Sequence, residues 1–339
     1  MTGLVSAERG VGETALVDAL PEVVVVLFAA VTHLADPWFL FGLLAVAYWF
    51  AGDRLAASPR RAGATAIAVV TCAYAAVALG KAWFAVPRPP GAMPPADVPT
   101  WLPALLSGWY EAQVLSDGFG FPSGHATGGA AAYLALALVY DRAWTGGRRL
   151  LAAGVVAAAV AASRVVIEVH YFVDVLAGVL LGGGVVVGAL WLAGDPRLPG
   201  RNSSSASSAT EPTAALDPTP AFLLAAVVSL AAAGVALAGG HTGEVVEAGI
   251  GIATGLGGAV GWRLVAGDEP SVPVRIAVPA LAVTGALWVG AYALADSVVV
   301  TLTATTAAVV AVVALPALPK RIGAIRPDRD AGGWSNGNN

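Results

Sequence analysis

Residues 149–193 read RLLAAGVVAAAVAASRVVIEVHYFVDVLAGVLLGGGVVVGALWLA. Two apolar runs, 149–167 and 171–193, each approach the roughly 20 residues that carry a helix across a bilayer core. Between them sits SRVVIEVHYFVD, residues 163–174, with Arg164, Glu168, His170 and Asp174 inside twelve positions. A soluble helix would show a polar face along its length, and neither run has one. The pair therefore reads as two transmembrane helices with ionisable groups gathered at one shared end. Ionisable groups placed there are costly and mark a functional site by default.

The rest of the chain agrees. Of 339 residues, 57% are hydrophobic and 12% charged, about half the charge of an ordinary soluble protein. Apolar runs recur near 15–34, 37–52, 63–85 and 124–141 before this pair, and near 220–239, 244–264, 275–294 and 297–318 after it. The expected fold is all-α and polytopic, ten spans in all. Six would form an N-terminal core (1–194). The segment GDPRLPGRNSSSASSATEPTAALDPTP reads as a Ser/Pro/Gly-rich linker (195–218), because such a composition buries little. Four spans (219–318) and a polar tail (319–339) follow. The first run lacks a basic leader, so it reads as a retained helix and not a cleaved signal.

Arginine placement orients the expected spans. Arg54, Arg60 and Arg61, then Arg142, Arg148 and Arg149, then Lys320, Arg321, Arg326 and Arg329 fall on one side if ten spans alternate. That side reads as cytoplasmic, with both termini on it. Arg88 and Arg164 fall on the other side, as exceptions that need a reason. The net charge of −4 is too mild to call for a nucleic-acid partner. The single Cys72 lies within an apolar run and reads as a packed thiol. The glycine pairs Gly184/Gly188 and Gly257/Gly261 have the spacing of close helix contacts. His33 and His241 read as interfacial or solvated, and Glu247 and Asp296 as water-accessible helix-end groups without a function.

Three clusters share the outer side: KAWFAVPRP with Lys81 and Arg88, FPSGHA with Ser123, Gly124 and His125, and the stretch from Ser163 to Asp174. Cations from Lys81, Arg88 and Arg164 suit a phosphoryl group. Ser123 and Gly124 precede a helix and can offer it N–H groups. His170 and Asp174 are four apart, one helical turn. A carboxylate there can hold one imidazole nitrogen protonated and leave the other as nucleophile. His125 is then free to protonate a departing oxygen.

These residues resemble the signature of the type 2 phosphatidic acid phosphatase (PAP2) superfamily: K-x6-R-P as Lys81, Arg88 and Pro89; P-S-G-H as Pro122 to His125; S-R-x5-H-x3-D as Ser163, Arg164, His170 and Asp174. The resemblance covers about residues 15 to 193 and not the four C-terminal spans, whose role it leaves open. It implies that His170 becomes a phosphohistidine, that Asp174 orients it and that His125 is the general acid. Phosphate would be held by Lys81, Arg88, Ser123, Gly124 and Arg164, with no metal or other cofactor. The expected activity is hydrolysis of a lipid phosphate or an isoprenyl (di)phosphate at the outer surface. Alternatives are a lipid head-group phosphotransferase using the same site, or a lipid transporter with a vestigial phosphatase core. The proline-rich PPGAMPPADVPTWLPALLSGWY (89–110) suits an interfacial lid.

Overall fold

In lipid every backbone N–H must be satisfied within its own segment, so apolar runs of this length have one regular solution, the helix. The computed structural model describes residues 9–198, 212–265, 272–294 and 297–317. They form twelve α-helices and no strand among the described residues. In chain order these are α1 (Glu13–Val17), α2 (Glu22–Val31), α3 (Pro37–Phe50), α4 (Pro59–Phe84), α5 (Ala104–Val114), α6 (Gly124–Val139), α7 (Gly146–Val166), α8 (Phe172–Ala193), α9 (Thr219–Gly239), α10 (Thr242–Val265), α11 (Val274–Leu294) and α12 (Val298–Ala314). Six are long and apolar enough to cross a membrane: α4, α7, α8, α9, α10, and α12 with its short 3₁₀ extension to Ala317. The apolar helices α6 and α11 are shorter or less regular. Asp296, Lys320, Arg321, Arg326, Arg329, the tail and the serines of the linker lie outside the described residues.

Helix α4, 26 residues and about 39 Å long, is the axis of the molecule. Its small side chains (Ala62, Ala64, Ala66, Ala68, Ala73, Ala75) are buried and admit neighbours on all sides. One continuous core joins α3, α4, α6 and α8 to α9, α10 and α12, through Phe222, Trp262 and Val313 among others. Cys72 of α4 is buried there, its Sγ 3.0 Å from the Ala221 carbonyl of α9. The C-terminal helices thus share the core of the N-terminal ones instead of forming a bundle apart. The described part of the expected linker also docks, with Leu216 fully buried and its carbonyl bonded to Arg61 at 3.0 Å.

Two expectations are corrected. The runs 15–34 and 37–52 are not two antiparallel spans. Residues 22–35 and α3 follow one another with a bend of 48°, because a single extended residue, Asp36, separates the 3₁₀ turn Thr32–Ala35 from Pro37 at the start of α3. One residue bends a chain but does not reverse it. By length and composition the pair counts as one bent span, and what precedes it returns to the end where the motif residues gather: Glu13 accepts from the Phe172 N–H at 2.9 Å. The described N-terminal residues therefore lie on the site side, not opposite it. At the far end, Trp49 and Tyr48 of α3 donate to the Val312 and Val313 carbonyls of α12.

The second correction concerns packing. A Cβ at Gly184 or Gly188 would meet nothing within 4 Å. The close contact of α8 is made by Gly178 and Gly182 instead, where a Cβ would sit 2.7 Å from the Ser123 carbonyl and 2.6 Å from that of Thr127. The spacing of four is right and the register is six residues off. On α10 the expected pair holds, with Gly257 and Gly261 against Thr306 and Val313 of α12.

Candidate active site

Four helix ends converge: the C-termini of α4 and α7 and the N-termini of α6 and α8. Residues 167–171 link α7 to α8 through Glu168 at φ +55°, and the His170 N–H bonds back to the Arg164 carbonyl at 3.1 Å. This pins His170 beneath the connection from α4 to α6. Arg88, on that connection, donates from Nη1 to His170 Nε2 at 2.9 Å and to the Val169 carbonyl at 3.1 Å. Its Nε bonds the Asp117 carbonyl at 2.8 Å. A guanidinium can only donate, so Nε2 of His170 carries the lone pair and Nδ1 the proton. The lone pair of Nε2 thus faces the Arg88 guanidinium.

Nδ1 is held differently from the expectation. It donates to the Gly120 carbonyl at 2.7 Å, while the nearer Asp174 oxygen is 3.5 Å away. Asp174, at the start of α8, accepts instead from the Tyr171 N–H at 3.0 Å and from Arg9, whose Nε and Nη2 engage its two oxygens, the latter at 2.9 Å. A charge-assisted, two-pronged partner outcompetes a neutral imidazole for the carboxylate. Gly120 has no alternative, since a Cβ there would lie 2.6 Å from Arg9 Nη2 and 2.9 Å from the Pro87 carbonyl. Burial, followed by the nearby Arg88 and Arg164 cations, holds the His170 imidazole well below the ordinary histidine range; the Gly120 carbonyl opposes this in part. The ring is therefore neutral at physiological pH.

Ser123 stands at the N-cap position of α6 without a side-chain capping bond, and its N–H bonds the Asp174 carbonyl at 3.1 Å. The backbone N–H groups that follow, from Gly124 onward, form the first turn and have no partner within the helix. Ser123 Oγ and Arg164 Nε are buried and find no hydrogen-bond partner among the described residues, while Arg164 Nη1 bonds Thr32. Lys81 is turned from this group. Its ammonium lies 3.6 Å from Glu247 of α10, and among the described residues it bonds none of the other site side chains.

His125, second residue of α6, bonds Asp36 from Nε2 at 2.9 Å. Sequence reasoning missed Asp36, Arg9 and Gly120, and it set aside His33, which bonds the same carboxylate at 2.6 Å. An Asp and a His three apart between two apolar runs was a usable signal. Arg9 gave none, since it meets its partner across 165 residues of chain.

The sequence of residues 62–197 matches the family model described as the PAP2 superfamily. No curated protein and no solved structure matches the chain. The matched stretch contains every motif residue above and excludes α9 to α12.

Proposed function

We propose that this chain, a member of the PAP2 superfamily through residues 62–197, is a membrane phosphatase that cleaves a lipid phosphate or isoprenyl (di)phosphate by way of a phosphohistidine. Family membership supports phosphatase-type activity in general. The observation that carries the finer reading is the pair of buried, partnerless donors, Ser123 Oγ and Arg164 Nε, beside the Arg88–His170 contact. Leaving a buried donor unpaired costs about 1–3 kcal/mol, and phosphate oxygens would satisfy both.

In the first step His170 Nε2 attacks phosphorus and forms an N–P bond. The bond from phosphorus to the leaving oxygen breaks, and His125 gives that oxygen its proton. In the second step water attacks phosphorus, His125 takes up a water proton, the N–P bond breaks and inorganic phosphate leaves. Arg88 and Arg164 hold charge that shifts onto the equatorial oxygens in both steps. Lys81 joins them if it exchanges Glu247 for a phosphate oxygen. Asp174, held by Arg9, fixes the backbone around His170 more than the ring itself.

The surroundings of the site support a lipid-borne substrate. Trp101, Leu105 and Met93 on the 85–123 connection are exposed, which suits a segment lying in the membrane interface above the site. A lipid-borne phosphate reaches that depth. The arginine-rich connections at the far end support a reading in which the site and the N-terminus face the outside of the cell membrane. The test is phosphate release by the detergent-purified full chain across lipid phosphates, isoprenyl diphosphates and soluble phosphate esters, with EDTA present. Release from the lipid substrates above the soluble ones is expected. Release only after adding magnesium, or from none of them, would overturn the reading.

A further inference from the structure

A chain of hydrogen bonds runs from the helix above the site to the imidazole of His125. Trp109, on α5, donates from Nε1 to His33 Nε2 at 2.8 Å. An indole N–H is a donor only, so that histidine nitrogen holds a lone pair. The His33 proton is therefore on Nδ1, where it bonds Asp36 Oδ2 at 2.6 Å. Trp38 Nε1 donates to the same oxygen at 2.9 Å. The other oxygen, Oδ1, faces His125 Nε2 at 2.9 Å. With His33 neutral and its tautomer fixed, the carboxylate charge is directed at His125.

We infer that Asp36 is a positioning residue for His125, and that Trp109 and His33 set its orientation from the segment covering the site. With Nε2 taken by Asp36, Nδ1 is the ring nitrogen left to exchange a proton with substrate. The groups acting on that imidazole come from several elements: Arg164 on α7, Arg88 on the connection after α4, His170 before α8, and Asp36 at the bend before α3. Three of these are cations or imidazoles. Asp36 is the carboxylate in contact with the ring, and it opposes in part the repulsion that two guanidiniums exert on a proton there. The bend that breaks the first span thus has a use: it brings a carboxylate to the depth of the α6 N-terminus. The same logic places a carboxylate behind the histidine of a hydrolase triad, here applied to the proton donor and not the nucleophile.

This inference rests on the phosphatase reading, and the test separates the two. The full chain is purified in detergent as wild type, Asp36→Asn, Asp36→Glu, Trp109→Phe and His125→Ala. kcat/KM is measured for an aryl phosphate, whose leaving group needs little help, and for an alkyl phosphate, which needs a proton. General acid catalysis contributes about 10²- to 10⁴-fold. Asp36→Asn is expected to lower the alkyl rate at least about tenfold and the aryl rate under about threefold. Asp36→Glu should recover part of the loss, and Trp109→Phe should fall between wild type and Asp36→Asn. Equal losses on both substrates, or none, would overturn the inference; His125→Ala without leaving-group dependence would instead overturn its role as acid. A readout independent of turnover is the ¹⁵N spectrum of the four histidines. Neutral His125 should hold its proton on Nε2 in the wild type and lose that preference in Asp36→Asn. An unchanged tautomer would sink the inference even if the protein cleaved no phosphate at all.

Discussion

Consider replacing Arg9 with methionine. The arginine is buried and Asp174 is fully so. The guanidinium holds both carboxylate oxygens, donates to the Pro87 carbonyl at 3.0 Å and lies 4.9 Å over the Tyr171 ring. Breaking one side of a buried ion pair costs about 3–5 kcal/mol, because the other charge stays buried. Asp174 keeps the Tyr171 N–H and has His170 Nδ1 3.5 Å away, so the low end, about 3 kcal/mol, is expected. At about 2–4 °C per kcal/mol for a chain of this order, Tm should fall by roughly 6–12 °C. Cys72 supplies the assay: it is the single cysteine of the chain and it is buried, so a thiol-reactive dye reports unfolding on heating. The Arg9→Met, Asp174→Asn double variant removes both charges and should regain much of the loss. Activity of Arg9→Met should persist at a reduced level, since Gly120 still holds His170. A change below about 1 kcal/mol, within the range of ordinary surface substitutions and small core changes, would refute the reasoning. So would a double variant less stable than Arg9→Met alone.

Four further outcomes are expected. His170→Ala should abolish turnover and the acid-labile phosphoenzyme together. In the wild type, the acid limb of kcat/KM should lie below the ordinary histidine value of 6.5, because the depressed His170 stays neutral and nucleophilic until pH falls well under it; a limb at or above 6.5 would contradict the geometry. Gly178→Val should destabilise the protein and lower activity by driving into the Ser123 carbonyl, whereas Gly184→Ala, in open space, should be neutral or stabilise by up to about 1 kcal/mol, as thermal unfolding would show. In a Cys72→Ala background, Ala15→Cys and Met93→Cys should both react with an impermeant thiol reagent in intact cells, and a cysteine at Ser205 only after permeabilisation. Labelling of Ala15→Cys and Met93→Cys from opposite sides would overturn the single bent traverse of residues 22–50.

The sequence by itself determined the class of the protein and the motif residues of its candidate site. Hydropathy is a local property, so runs such as 171–193 announce helices without knowledge of their neighbours. Motif spacing is local too: His170 and Asp174 share a helical turn wherever that helix lies. Spans counted from hydropathy failed at residues 15–52, since an apolar run says that a segment favours lipid but not whether the chain reverses at its end. The two runs read as separate spans and are joined by a bend at Asp36. The register of the glycine contacts was also hidden, because whether Gly178 or Gly184 faces α6 depends on how α8 rotates against its neighbours.

Only the tertiary structure decided which partner each site residue takes. Asp174 was expected to serve His170 and is claimed by Arg9. His125 was expected to act as general acid, and its ring meets Asp36, 89 positions earlier. Lys81 meets Glu247 on a helix beyond the family-matched stretch. These pairings are long-range because a hydrogen bond is settled by distances of a few tenths of an ångström between helices far apart in the chain. Composition and periodicity carry no information at that scale; the packing of small residues along α4, α6 and α8 sets it.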